Sequence, residues 1–144
     1  MPDPAVPGPA AAVRRLDIAA PPDDVNHVHS LLERVWSEHD HVPAFDRISF
    51  ETAVIELASN VIRHGDGGAG IRCSVAVTVS EDRIEARLVD NGEPGHIALA
   101  SRDLPDDLAE SGRGIPLITA LADVVHYERC DDANRWYLSR TLGR

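Results

Sequence analysis

The run SFETAVIELASNVIRHG, Ser49–Gly65, constrains the fold more than any other part of the chain. Ala53, Leu57 and Val61 recur every four residues, the spacing that lines up one stripe of an α-helix. Glu56, Asn60 and His64 recur at the same spacing on an adjacent stripe. Asp46 suits the cap of this helix and Gly65 its stop. After the glycine-rich connection GDGGAG, the pattern changes to period two. RCSVAVTVS (Arg72–Ser80) and RIEARLVD (Arg83–Asp90) read as strands, with Glu81-Asp82 as the turn between them. In the second, Ile84, Ala86 and Leu88 alternate with Glu85 and Arg87, so one face is buried. A half-apolar helix followed by a half-buried hairpin places the helix over a sheet.

The remainder follows the same grammar. Met1–Ala12 is rich in Pro, Ala and Gly and reads as a disordered tail, leaving one domain over 13–144. VRRLDIAA reads as a strand. PPDDVNHVHSLLERVWSEH reads as a helix, with its prolines and Asp23/Asp24 at the start. From Asn91 to Ser111 periodicity fails, and the segment is rich in Gly, Pro and acids, among them Asp103, Asp106, Asp107 and Glu110. Such a long connection has the character of a lid. GRGIPLITALADV resumes a helix, and VVHYERC and NRWYLSRTL form a last hairpin across DDA. The order strand, helix, helix, strand, strand, lid, helix, strand, strand predicts an α+β two-layer sandwich. Its sheet is mixed and mostly antiparallel, with helices on one face.

Composition removes several function classes. The formal net charge of −10 lacks the basic footprint that nucleic acid requires. All 14 basic residues are Arg, so a phosphate-binding lysine loop of the GxxxxGK[ST] kind is impossible. No apolar run is long enough to span a membrane, and MPDPAVPGPAAAV lacks the charged and apolar regions of a signal peptide, so the expected location is cytoplasmic. Cys73 and Cys130 form no CxxC pair and are expected to be reduced core thiols. The pairs His27/His29 and His39/His41 suggest a metal at first sight. The first pair, two apart on a helix, points to different faces, and a surface role is expected of both.

Three local signals carry chemistry, and each also has a plain structural reading. On the helical stripe, Glu56 offers a carboxylate base and Asn60 a hard oxygen suited to Mg²⁺, with His64 in reach of a phosphate. A polar stripe is equally what a solvated helix face presents. Asp90-Asn91-Gly92 ends a strand, where Asp90 is able to accept from an amino group such as that of adenine. Asn-Gly is also a common hairpin turn, although no matching strand follows. Gly112-Arg113-Gly114 precedes a helix bearing Pro116 in its first turn, a place where free N–H groups and Arg113 bind anions. An ordinary turn looks the same. GDGGAG, by contrast, lies at the negative end of its helix dipole and reads as a hinge.

Taken in order, E-x-x-x-N on a helix, D-x-G ending a strand, a lid and G-x-G opening a helix resemble the ATPase superfamily of gyrase, histidine kinases and mismatch-repair ATPases (GHKL, the Bergerat-type fold). The wording ELASNVIRHG, DNGEP and SGRGIPLI is similar to bacterial anti-sigma-factor serine/threonine kinases over about residues 13–142. Pro94 stands where many relatives have a second glycine. The resemblance implies that Asn60 holds Mg²⁺, that Glu56 is the catalytic base and that Asp90 binds the adenine amino group. Gly92, Gly112 and Gly114 would shape the pocket and lid, while His64 and Arg113 face phosphate. The implied reaction transfers the ATP γ-phosphoryl group to a Ser or Thr of an anti-anti-sigma (STAS) partner. The implied partners are that protein, a sigma factor and a second copy of the chain. A nucleotide-gated binding module of the same fold without phosphotransfer is the alternative, and an α+β interaction domain without nucleotide the plainest one.

Overall fold

The computed structural model describes residues 12–64, 70–93 and 114–143. Five strands form one sheet: β1 (Ala12–Ala20), β2 (Ile71–Val79), β3 (Arg83–Asp90), β4 (Val124–Cys130) and β5 (Ala133–Thr141). The spatial order is β1-β2-β3-β5-β4, and every described pair is antiparallel. Three helices accompany them: α1 (Asn26–Glu38), α2 (Ala44–His64) and α3 (Gly114–Leu121). The expected α+β fold is therefore present. Of the expected tail, residues 1–11 lie outside the described residues, and Ala12 already pairs with Val79.

Period two explains the layering. Ile71, Cys73, Val75, Val77 and Val79 of β2 are buried, as are Ile84, Ala86 and Leu88 of β3 and Trp136 and Leu138 of β5. Their alternates carry charge: Glu85, Arg87 and Arg135 stand on the opposite face of the sheet. Against the apolar face pack Val28, Leu31, Leu32 and Val35 of α1, Phe50, Ala53, Val54, Leu57, Ala58 and Val61 of α2, and Ile118 of α3, in one continuous core. Fully burying side chains of this size is worth about 1.5–3 kcal/mol each, so the faces of helices and sheet select one another.

Two expectations from sequence are corrected. Asp46 does not cap α2: the helix starts two residues earlier, at Ala44, and the Asp46 carboxylate turns inward. It accepts from Arg140 Nε at 2.8 Å and from the Gly143 amide at 3.1 Å. Arg140 Nη1 also donates to the Leu121 carbonyl, 2.7 Å away. One guanidinium thus joins the first turn of α2, the end of α3 and β5, and satisfies a carbonyl at a helix C-terminus that has no intrahelical partner. Cys130 is the second correction. It is exposed because β4 is an edge strand, whereas Cys73 on β2 is buried.

Breaking the Arg140–Asp46 pair from one side leaves a buried charge alone. Arg140→Met is expected to cost about 3–5 kcal/mol in a denaturant titration. A cost under about 1 kcal/mol would mean that water replaces the guanidinium. Burial first, then the charges of Asp90 and Asp17, push the Cys73 thiol up to about 12. At pH 8 only about one Cys73 thiol in ten thousand is then ionised and able to react. A thiol reagent should titrate Cys130 rapidly in the native protein and Cys73 only on denaturation. Two fast thiols in the native state would refute the burial of Cys73.

Candidate functional site

The first site element is the second half of α2. Ala53, Leu57 and Val61 are buried, as the sequence spacing requires, and this fixes the neighbouring stripe at the edge of the core. Glu56 and Asn60 on that stripe are half-buried. Asn60 Oδ1 accepts from Arg63 Nη2 at 2.6 Å, and its Nδ2 is buried without a hydrogen-bond partner among the described residues. His64 is the last residue of α2, and its side chain lies outside what is described.

The second element is the end of β3. Asp90 is 3% exposed and pairs in register with Cys73 on β2 and Asn134 on β5. Three donors hold its carboxylate. The Gly92 amide at 2.9 Å and Asn134 Nδ2 at 2.8 Å both reach Oδ1, and Trp136 Nε1 reaches Oδ2 at 3.0 Å. The Gly92 bond closes an Asx turn, in which a side chain substitutes for a backbone acceptor. That turn is tied to both neighbouring strands. Asn91 Oδ1 accepts from the Arg72 amide at 2.8 Å. On the other side, Arg129 Nη1 donates to the Gly92 carbonyl at 2.8 Å and Asn134 Nδ2 to the Glu93 carbonyl at 2.8 Å. Asn134 Oδ1 in turn accepts from Tyr127 Oη at 2.6 Å and from Arg129 at 3.1 Å. The Tyr127 and Trp136 rings lie 4.4 Å apart. Asn91-Gly92 is thus the end of a strand and not the centre of a β-hairpin among the described residues.

None of Tyr127, Arg129, Asn134 and Trp136 is identified as a site residue by the sequence motifs. The available signal is the strand NRWYLSRTL, in which Asn134 shares its inner face with Trp136 and Leu138 and calls for a polar partner.

The third element is only partly described. Gly114 opens α3, while Gly112 and Arg113 lie outside the described residues, as does most of the expected lid. Packing nevertheless groups the elements: α2, which carries Glu56 and Asn60, touches β3 and β5 below it and α3 beside it. A shallow groove lined by Trp36, Ala44, Arg47, Ile48, Glu51 and Thr52 lies between α1 and the first half of α2 and contains none of these residues.

The histidine pairs stand apart. His27 faces Asp23 and Asp24, His29 faces Glu51 at 3.4 Å, and His41 meets the Ser80 carbonyl. Among the described residues no group of three or more His, Cys, Asp or Glu side chains has the arrangement of a metal cluster. No helix among them is long and apolar enough to cross a membrane.

No curated protein sequence matches the chain significantly. A solved structure, that of the RsbU and RsbW domains of Rv1364c from Mycobacterium tuberculosis, shares the fold with a TM-score of 0.61 at 18% identity. The match covers 91% of this chain and 33% of that one, so the chain spans about a third of the length of that protein. The sequence pattern described as "Histidine kinase-like ATPase domain" matches residues 18–139, which include Glu56, Asn60, Asp90, Gly92 and Gly114. With most of its length matched, the chain belongs to the histidine kinase-like ATPase domain family.

Proposed function

We propose that this protein is an ATP-dependent protein serine/threonine kinase of the anti-sigma-factor type, which binds a sigma factor and phosphorylates an anti-anti-sigma (STAS) partner. The observation that carries the reading is the Asp90 carboxylate, buried and aimed by three N–H donors at the end of β3, beneath the helix that bears Glu56 and Asn60. Fixed acceptors of this kind recognise a base with an exocyclic amino group, as adenine has. The resemblance of ELASNVIRHG, DNGEP and SGRGIPLI to the anti-sigma kinases supplies the partner class and the homodimer.

In the proposed reaction the hydroxyl oxygen of a partner Ser or Thr attacks the γ-phosphorus of ATP, and the bond from that phosphorus to the β-bridging oxygen breaks. ADP leaves, and Glu56 accepts the hydroxyl proton. Phosphoryl transfer of this kind depends mainly on positioning and charge neutralisation. By the resemblance, Gly92, Gly112 and Gly114 would shape the pocket and lid, and His64 and Arg113 would serve the phosphates. The donor set fits Mg²⁺, which commonly takes one or two protein oxygens and completes its shell with phosphate and water. Asn60 Oδ1 is a suitable oxygen, and Asn60 Nδ2, without a partner among the described residues, is a donor that a phosphate oxygen would satisfy. The ion, when bound, would neutralise the triphosphate. Arg63 takes one of the two lone pairs of Asn60 Oδ1 in this structure, which leaves the other for the ion. The second reading is a nucleotide-gated binding module of the same fold in which no phosphoryl group moves.

Incubation with γ-labelled ATP, Mg²⁺ and STAS proteins separates the two. Wild type should label a partner Ser or Thr. Glu56→Ala should bind ATP within about threefold of wild type and transfer label about 10²–10⁴ times more slowly, the usual contribution of a general base. Bound ATP without label on any partner would establish the binding module. Transfer by Glu56→Ala at the normal rate would remove Glu56 from the base role.

A further inference from the structure

An ionised carboxylate offers about four lone-pair positions. Oδ1 of Asp90 uses two, for the Gly92 amide and Asn134 Nδ2. Oδ2 uses one, for the indole N–H of Trp136. Among the described residues, one acceptor position on Oδ2 therefore has no partner, on a side chain only 3% exposed. The three donors already satisfy the carboxylate, and the position left open sits on the oxygen whose orientation a single donor fixes.

We propose that Trp136 is a positioning residue that sets the base specificity of the site, by holding Asp90 Oδ2 so that one acceptor, and no more, is offered to the nucleotide. The inference rests on the reading of Asp90 as the adenine-binding group. The indole is well placed to be rigid: Trp136 is 6% exposed, and its ring is braced by Tyr127 at a centroid distance of 4.4 Å. Tyr127 is fixed in turn by its hydroxyl bond to Asn134, which is joined to Oδ1 of the same carboxylate. Both oxygens are therefore anchored through one connected network, and the carboxylate plane has no freedom to turn. A single, directed acceptor pairs with an exocyclic amino donor and repels a carbonyl oxygen in the same place. Sites that read a hydrogen-bonding group in this way discriminate far better than those that read shape alone. Without the indole N–H, Oδ2 gains a second open acceptor and is free to swing. The amino contact weakens, and the N1–H donor of a 6-oxopurine gains a partner.

The test compares ADP with IDP, which carries a carbonyl in place of the adenine amino group, by calorimetry on the full chain. Wild type is expected to prefer ADP by at least about tenfold, and Trp136→Phe to bring the two affinities within about threefold of each other. A purely structural role would lower both affinities together and leave their ratio unchanged. Should Trp136→Phe fail to fold, replacing Trp136 by the isosteric benzothienylalanine deletes only the N–H, with the same expected loss of preference. Undiminished preference for ADP in either variant overturns the role of Trp136 while leaving Asp90 as the adenine group. Equal binding of ADP and IDP by wild type also overturns the inference. Failure of wild type to bind either nucleotide overturns the underlying reading of the site.

Discussion

A carboxylate buried on the apolar face of a sheet must be met by donors, and much of this molecule is arranged to meet that of Asp90. Leaving such a group without partners costs several kcal/mol, more than a domain of this size can readily lose. The donors come from three places: the turn that follows β3, the start of β5 and its second inner position. Their convergence requires the register in which Asp90 faces Asn134. A slip of one residue would turn every inner side chain of β5 outward, so that Asn134 and Trp136 would leave the carboxylate together. The sheet register and the hydrogen bonding of Asp90 are one constraint.

The helical layer depends on a comparable contact at the far end of α2. Asp46 and Arg140 fix the first turn of that helix against β5 and the end of α3. Between the two charged anchors, Phe50, Ala53, Val54, Leu57 and Val61 bury a continuous stripe. The rotation of α2 about its axis is then settled, and with it the half-buried positions of Glu56 and Asn60. A stripe defined by core packing is a rigid base for chemistry, because its side chains cannot turn without exposing the leucine and valines beside them.

Much of this was legible in the sequence because it is periodic. The alternation in Ile84, Ala86 and Leu88 and the four-residue spacing of Ala53, Leu57 and Val61 fix element type and inner face without reference to the rest of the chain. Asp90 was legible as a strand end because Asn91-Gly92 follows it. Its partners were not, since Asn134 and Trp136 lie 44 and 46 residues away and only the strand register joins them. Asp46 has the sequence context of a cap for a related reason. An acid near a helix start suits a cap, and only the return of β5 with Arg140 turns it inward. The exposure of Cys130 depends on strand order: β5 adds to β3 and leaves β4 at the edge, a choice that alternation within VVHYERC does not encode.

The central claim is that adenine nucleotide binds at Asp90. The chain has two indole N–H groups that report on two different carboxylates: Trp136 on Asp90 and Trp36 on Glu51 at 2.8 Å. Titration of ¹⁵N-labelled protein with ADP, followed through these two resonances, tests the claim directly. The Trp136 signal should move and saturate with the binding isotherm while that of Trp36 stays in place. Saturation with ADP that moves Trp36 and leaves Trp136 unchanged would place the nucleotide elsewhere and contradict the account.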